Sequence, residues 1–447
     1  MTHDANSGGR ASTSQFALFK SVNFAPLFFT MFLGAFNDNF FKSAMVILIT
    51  YRLAGTSSVD ARILVTFAAG VFILPFVAFS VLAGQLADKY ERSRLVRKVK
   101  IAEIFVMALA VVGFSLGSVA ILMTALFAMG TQSAFFGPLK YSILPQHLGE
   151  GELIAANALI ETGTFLSILF GTIAGGIFVM REGGVAVVSF LVVGIAVAGW
   201  AASLYIPPTR AVDPFMEFRF NLIKETVALV NNVRPRRDIF LSVIGISWFY
   251  FVGGTFLSQF PAYAKTVIGA DEQVATLFLA AFSVGIAAGS LACNGLLKGE
   301  VSGRYVPRAA LGMALLSVFL YAASLRAPIP GDAPLIGALE FVRAPANVAV
   351  LLSLLGISFF GGLYIVPLYA IIQSRSSEAD LAGVTACTNI MDSLFMVVSS
   401  LLATGMLAIG MSIPQIFLST AVLTVIAAFM IRGAVREQMR RGEKEPG

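Results

Sequence analysis

Charge is scarce in this 447-residue sequence: Asp, Glu, Lys and Arg make up 13% of it, against about a quarter in a soluble domain. Hydrophobic residues make up 57% and the mean hydropathy is +0.84. No water-soluble core could bury that much apolar side chain, so the soluble classes are excluded and a multi-span membrane protein is implied. Cysteine is nearly missing. Cys293 and Cys387 both fall in apolar stretches, which leaves no disulfide framework and no metal site, and no cofactor motif is present. Histidine is equally rare. A membrane-bound acyltransferase would pair a His with an Asp four residues away as base and orienter. Here "HLGEGE" offers only His147 with Glu152 in the Asp position, beside a span end, so the enzyme reading is set aside. Trp200 and Trp248 are the only tryptophans, too few for the stacking platforms of a sugar site. The opening "MTHDANSGGRASTSQ" is a polar tail. The first apolar run is too long for a cleaved signal peptide.

What the sequence does have is long apolar runs. Windows of about 19 residues predict twelve helices, at 24–51, 62–83, 99–117, 119–139, 153–180, 185–206, 239–264, 273–297, 306–326, 346–372, 382–408 and 412–432. The fold class is thus an all-α membrane protein. Its expected units are a tail (1–22), a six-helix bundle (23–206), a linker (207–238), a second six-helix bundle (239–432) and a basic tail (433–447). With the amino terminus inside, 23 of the 31 Lys and Arg fall on the inner side, six of them between Lys89 and Lys100. That bias sets a topology with both termini cytoplasmic. The positive charge then meets lipid headgroups, and nucleic acid is not a partner. Within the linker, "PFMEFRFNLIKETVALVNNV" puts Phe215, Phe218, Leu222 and Leu229 near one face, the pattern of an interfacial amphipathic helix.

Charges inside the spans are costly and mark function by default. In the first, "GAFNDNFFKSAM" carries Asn37, Asp38, Asn39 and Lys42. Asp38 and Lys42 share a helix face four residues apart and are expected to pair, with the two amides holding the carboxylate in a polar cavity wall. Lys140 and Tyr141 follow Pro138, and Asn157 precedes Glu161 by one turn. Glu161 has no base nearby in sequence, so its partner must come from another helix or from a ligand. "GTIAGG" (171–176) is a small-residue packing seam.

The two halves echo each other. "FFGPLKYSILPQ" (135–146) resembles "FFGGLYIVPLYAIIQ" (359–373), which contains Tyr364, and the pair Asn157 and Glu161 resembles Asn389 and Asp392. Two parallel six-helix repeats with a site between them are the major facilitator arrangement, in which the first, fourth, seventh and tenth helices line the cavity. "GQLADKYERSR" (84–94) resembles that superfamily's signature turn, with Gly84, Asp88, Arg92 and Arg94 in place. Asp88 is expected to accept hydrogen bonds from a helix N-terminus, and the two arginines to meet acids or headgroups. Glu91 stands where the signature has a second glycine. In the second half, "GLLKGEVSGR" has Gly299 in place of the Asp.

"AFNDN" (35–39), "PLKYSIL" (138–144) and "ANALIETGTFLSILFGTIAGG" (156–176) together resemble the bacterial lysophospholipid transporter family of the major facilitator superfamily. The resemblance implies inward movement of lysophosphatidylethanolamine and related single-chain lipids across the inner membrane. It also implies an acyltransferase or acyl-carrier-protein synthetase as functional partner. Asp38, Lys140 and Glu161 would then touch substrate or gate. The seventh helix departs from the family pattern, offering Gln259 and tyrosines where an intramembrane base is expected. The headgroup's phosphate and ammonium suit a cavity with separate bases and acids. The competing reading is a proton-coupled exporter of amphipathic drugs or small solutes, with Asp38 or Glu161 titrating.

Overall fold

A backbone in hydrocarbon must satisfy its own polar groups, and helices do this within one segment. The computed structural model describes residues 14–53, 61–219, 221–326 and 334–442. Its helices in chain order are α1 (Ala25–Leu48), α2 (Ala61–Lys89), α3 (Arg92–Leu116), α4 (Val119–His147), α5 (Glu150–Met180), α6 (Gly184–Ser203) and α7 (Leu222–Val233). They continue with α8 (Arg237–Tyr263), α9 (Glu272–Leu297), α10 (Val306–Ser324), α11 (Ala338–Arg343), α12 (Pro345–Arg375), α13 (Glu378–Ala408) and α14 (Ile413–Gly442). All but α7 and α11 are long. The 24 residues of α1 extend about 36 Å at 1.5 Å per residue, enough to cross a bilayer core.

Local signals set many ends. Asp271 caps α9 by accepting from the Gln273 and Val274 amides, Ser377 caps α13, and Gly117 closes α3 in the left-handed conformation at φ 60°. Such caps satisfy amides and carbonyls that the helix itself leaves open. Glu152 accepts from the Gly149 amide at 3.0 Å. It is therefore a cap on α5, not the orienting partner of a histidine.

The two halves pack in the same pattern. α1 packs on α5 and α6, α2 on α4, and α3 on α4 and α6. In the second half α8 packs on α13 and α14, α9 on α12, and α10 on α12 and α14. Each pair in one bundle has its counterpart in the other, which is what two parallel repeats require. The bundles meet through α5 against α9 and α2 against α13, again a matched pair. The "GTIAGG" seam makes the α1–α5 contact possible. A Cβ on Gly171 would come 2.6 Å from the Phe36 carbonyl oxygen.

Several elements differ from expectation. α2 runs on to Lys89, α3 begins at Arg92 and α4 continues to His147 through Pro138 and Pro145. Hydropathy marks only the lipid-facing length, whereas backbone hydrogen bonding continues past it. The linker helix starts only after the Asn221 cap, so Phe215 and Phe218 precede it. Phe215 is exposed, and Phe218 lies under the Lys89 ammonium instead. α14 continues to Gly442, through most of the stretch expected to be tail.

Call the end of the bundles that carries the linker the linker face. Here the linker is clasped to the α2–α3 turn. The Val212 and Asp213 amides donate to the Asp88 carbonyl, Lys89 donates to the Met216 carbonyl, and Gln85 exchanges two hydrogen bonds with the Arg219 backbone.

Candidate functional site

The signature turn joins the bundles. Arg92 is fully buried and its guanidinium donates to the Ala87, Ser142 and Glu378 carbonyls and to the Asp88 carboxylate. Glu378 opens α13, so Arg92, and not Asp88, reaches the neighbouring helix N-terminus. Gly84 lies against α13, where a Cβ would come 3.0 Å from that of Ala386. Arg94 is exposed and pairs with Glu91 at 2.6 Å. Glu91 itself has φ −59°, a conformation any residue adopts, so this turn does not need the second glycine. Gly299 in the other half has φ 79°, where an aspartate would be strained.

Above this turn, toward the midplane, a second polar layer bridges the halves. The Asn157 amide donates to Gln373 Oε1 at 2.6 Å and Gln373 donates back at 3.3 Å. Gln373 also reaches the Tyr141 carbonyl, and Thr162 the Ala287 carbonyl. Tyr141 and Tyr369 stack with ring centroids 4.2 Å apart. These contacts all lie in the half of the helices nearer the linker face.

Charge gathers at the level of this stack. Tyr141 donates to Glu161 Oε1 at 2.9 Å, while Glu161 Oε2 is buried with no hydrogen-bond partner among the described residues. Asp392 accepts from Ser247 at 2.7 Å. Lys140 lies beside the Tyr141 ring, within electrostatic reach of Glu161, Asp392 and Asp38. The Tyr250 and Tyr369 hydroxyls sit 3.4 Å apart at its edge. Asn389 leans across the Gly137 backbone of α4, and its amide nitrogen is likewise without a hydrogen-bond partner among the described residues. The layer therefore draws on α4, α5, α8, α12 and α13, with Asp38 on α1. It combines the Lys140 ammonium, the carboxyl groups of Glu161, Asp392 and Asp38, a tyrosine wall and open acceptors and donors. Such a set can hold a ligand that carries charge of both signs.

The opening motif is arranged differently from expectation. Lys42 lies over the Phe72 ring, 4.3 Å from its centroid, within electrostatic reach of Asp38 but not in direct contact with it. Asp38 accepts instead from Ser133 of α4 at 2.8 Å, and its Oδ1 has no hydrogen-bond partner among the described residues. Neither asparagine amide holds it: Asn37 is fully buried and donates to Glu103 and the Val192 carbonyl, and Asn39 donates to the Ala35 carbonyl of its own helix. Tyr364 is fully buried in the second bundle, its hydroxyl without a hydrogen-bond partner among the described residues. Among the described residues Gln259 bonds only to Ser258 near the far end of α8, twelve residues beyond Ser247 and so about 18 Å along the axis. Neither residue joins the charged layer.

The sequence reading missed a buried ion pair. Lys100 and Glu103 on α3 bond to each other with side chains 1% exposed. Counted among the loop bases, Lys100 sits well inside its helix. The visible signal was an opposite-charge pair three residues apart in "KIAE". Lys100→Met would strand Glu103, and breaking a buried pair costs about 3–5 kcal/mol. The variant should show a clearly lower unfolding temperature in detergent, and Lys100→Met with Glu103→Gln should recover most of it.

The family description "Major Facilitator Superfamily" matches residues 27–342. The chain belongs to this superfamily. The lysophospholipid transporter LplT of Cronobacter sakazakii is 27% identical over 390 residues, covering 86% of this chain and 88% of that protein. LplT of Salmonella gallinarum is 26% identical over 365 residues, covering 79% and 80%. The family resemblance seen in "AFNDN" and "PLKYSIL" thus extends along most of the chain. Among solved structures, the transporter FucP in its outward conformation aligns with a TM-score of 0.68 at 13% identity, covering 91% of this chain and 97% of that one. The human organic anion transporter MFSD10 aligns at 0.69 and 13%, covering 91% and 98%. At such identity these two support the fold alone.

Proposed function

We propose that this major facilitator protein moves lysophospholipids, such as lysophosphatidylethanolamine, across the bacterial inner membrane toward the cytoplasmic leaflet. The observation that carries the reading is the layer around Lys140, one ammonium set among Glu161, Asp392 and Asp38. A zwitterionic headgroup presents a phosphate to Lys140 and an ammonium to the carboxylates. Such charge-assisted contacts are about twice as strong as neutral ones. The LplT relatives point to the same substrate class. A single acyl chain stays against apolar helix faces while the headgroup enters sideways between the bundles. An enzyme that reacylates the lipid would consume the product.

The basic linker face is the cytoplasmic one in this reading, with both termini there. The bridges at that face then describe a chain sealed from the cytoplasm, one end state of alternating access. Substrate would be released after those bridges break.

Two measurements test the reading. Purified protein in proteoliposomes should take up labelled lysophosphatidylethanolamine and reject its two-chain parent, and imposed ion gradients would identify the coupling. Uptake that ignores lysolipid but collapses with the pH gradient would favour the exporter instead. Asn231→Cys, on an exposed linker position, should react with an impermeant thiol reagent only from the cytoplasmic side. Labelling from the periplasm would invert the topology.

A further inference from the structure

Lys100 has a chamber of its own inside the first bundle. A Cβ on Gly34 of α1 would come 2.8 Å from its Nζ, and one on Gly199 of α6 would come 3.1 Å from its Cε. The ring of Phe136 lies 5.6 Å from the ammonium. Both carboxylate oxygens of its partner Glu103 are committed further: Oε1 accepts from Asn37 at 3.1 Å and Oε2 from Gln132 at 3.3 Å. Stability alone is a poor reason for such a group. Well-packed apolar residues of similar volume hold a core at least as well as a buried ion pair. The best-attested use of buried charge is to fix one arrangement among several.

The arrangement fixed here is legible in two pairs of adjacent residues. Asn37 and Asp38 are neighbours on α1, and Gln132 and Ser133 are neighbours on α4. The first member of each pair bonds to Glu103, and the second members bond to each other, Ser133 donating to Asp38 Oδ2 at 2.8 Å. With the Gln132 amide nitrogen spent on Glu103, its Oε1 faces the Ser133 hydroxyl at 3.2 Å. That oxygen is a second acceptor for the hydroxyl's single proton, and Asp38, closer and charged, takes it because Glu103, tied to Asn37 of α1 and Gln132 of α4, sets Ser133 opposite Asp38. Among the described residues the other carboxylate oxygen, Oδ1, is left uncommitted.

We propose that the Lys100–Glu103 pair is a positioning unit for the carboxylate of Asp38, acting through Gln132 and Ser133. It sets which oxygen of Asp38 is free to meet the cationic part of a substrate and holds α1 and α4 in register while it does so. The proposal rests on the headgroup reading above for its consequence in transport, but the positioning itself can be read without substrate.

The experiment uses the full chain in proteoliposomes, with Ser133→Ala, Ser133→Thr, Gln132→Leu and the double variant Lys100→Met with Glu103→Gln. Two quantities are measured: KM and Vmax for lysophosphatidylethanolamine, and the rate at which dicyclohexylcarbodiimide modifies Asp38, followed by peptide mass spectrometry. Ser133→Ala, Gln132→Leu and the double variant should raise KM about tenfold, the size of one lost hydrogen bond to a charged group. Vmax should stay within about twofold of the unsubstituted protein, since the turnover machinery is untouched. Carbodiimide modification of Asp38 should rise severalfold in the same three variants, because its carboxylate loses its fixed donor. Ser133→Thr keeps the hydroxyl and should behave as the unsubstituted protein in both measurements. Variants that are less heat-stable yet keep both KM and Asp38 reactivity would overturn the proposal and leave the pair as packing. If the unsubstituted protein takes up no lysolipid, the transport reading fails, and the carbodiimide rates alone still decide the positioning.

Discussion

Lys140→Gln should reduce lysophospholipid transport and binding by about 10- to 100-fold, the range for losing a hydrogen bond to a charged group. Lys140 is the ammonium of the charged layer, and Glu161, Asp392 and Asp38 all act on it. Glutamine keeps most of the length and some hydrogen-bonding capacity but leaves a phosphate to face carboxylates with no cation between. The loss should therefore exceed what a change of shape would produce. Lys140→Arg keeps the charge but spreads it over a planar fork, a different geometry beside the Tyr141 ring, and should retain part of the activity. Binding of a monoacylglycerol, which lacks the phosphate, should respond little to either change. Folding is checked by monodisperse yield. If Lys140→Gln is unstable, adding Glu161→Gln restores charge balance and should still not restore lysolipid binding. Lysolipid binding at the level of the unsubstituted protein in either glutamine variant would remove Lys140 from the headgroup site.

The second large effect concerns the seal at the linker face. A Cβ on Gly84 would lie 3.0 Å from that of Ala386, while a disulfide spans about 3.5–4.5 Å between Cβ atoms. A few tenths of an ångström of relaxation would let Gly84→Cys and Ala386→Cys join α2 to α13. The native Cys293 and Cys387 are buried and should be replaced by alanine beforehand. Oxidation should then bring transport to background, and reduction should restore most of it, because the two bundles must part at this face to release substrate inward. Either cysteine alone should remain active under oxidising conditions. Full transport through a verified crosslink would mean that α2 and α13 never separate, and the alternating-access part of the reading would fall.

The opening stretch shows why spacing on one helix is not yet a contact. Asp38 and Lys42 stand four residues apart, and that spacing permits an ion pair. It does not require one. In the folded chain Ser133 supplies a donor from α4 and Phe72 supplies a ring from α2, and the two side chains take these as their direct partners while staying within electrostatic reach of each other. The same limit applies to Asn37, whose amide turns inward to Glu103. The echo between "FFGPLKYSILPQ" and "FFGGLYIVPLYAIIQ" was more informative, because it placed Tyr141, Tyr369 and Gln373 in segments that the structure brings face to face. It also drew in Tyr364, which shares the segment and turns into the core.

The sequence alone determined the class, the twelve long helices, the repeat and the residues of the signature turn. Each follows from local physics: apolar length suits a bilayer, helices satisfy their own backbone, and two similar halves pack alike. Only the tertiary structure decided which polar groups meet. Lys100 reads as one more base near a loop until Gly34 and Gly199, from helices far apart in the chain, leave it room beside Glu103. Arg92 reads as a headgroup anchor until Ser142 and Glu378 present carbonyls to it. In an apolar interior a charged side chain goes wherever partners can satisfy it. Those partners come from other helices, so their identity is settled by packing and not by spacing along the chain.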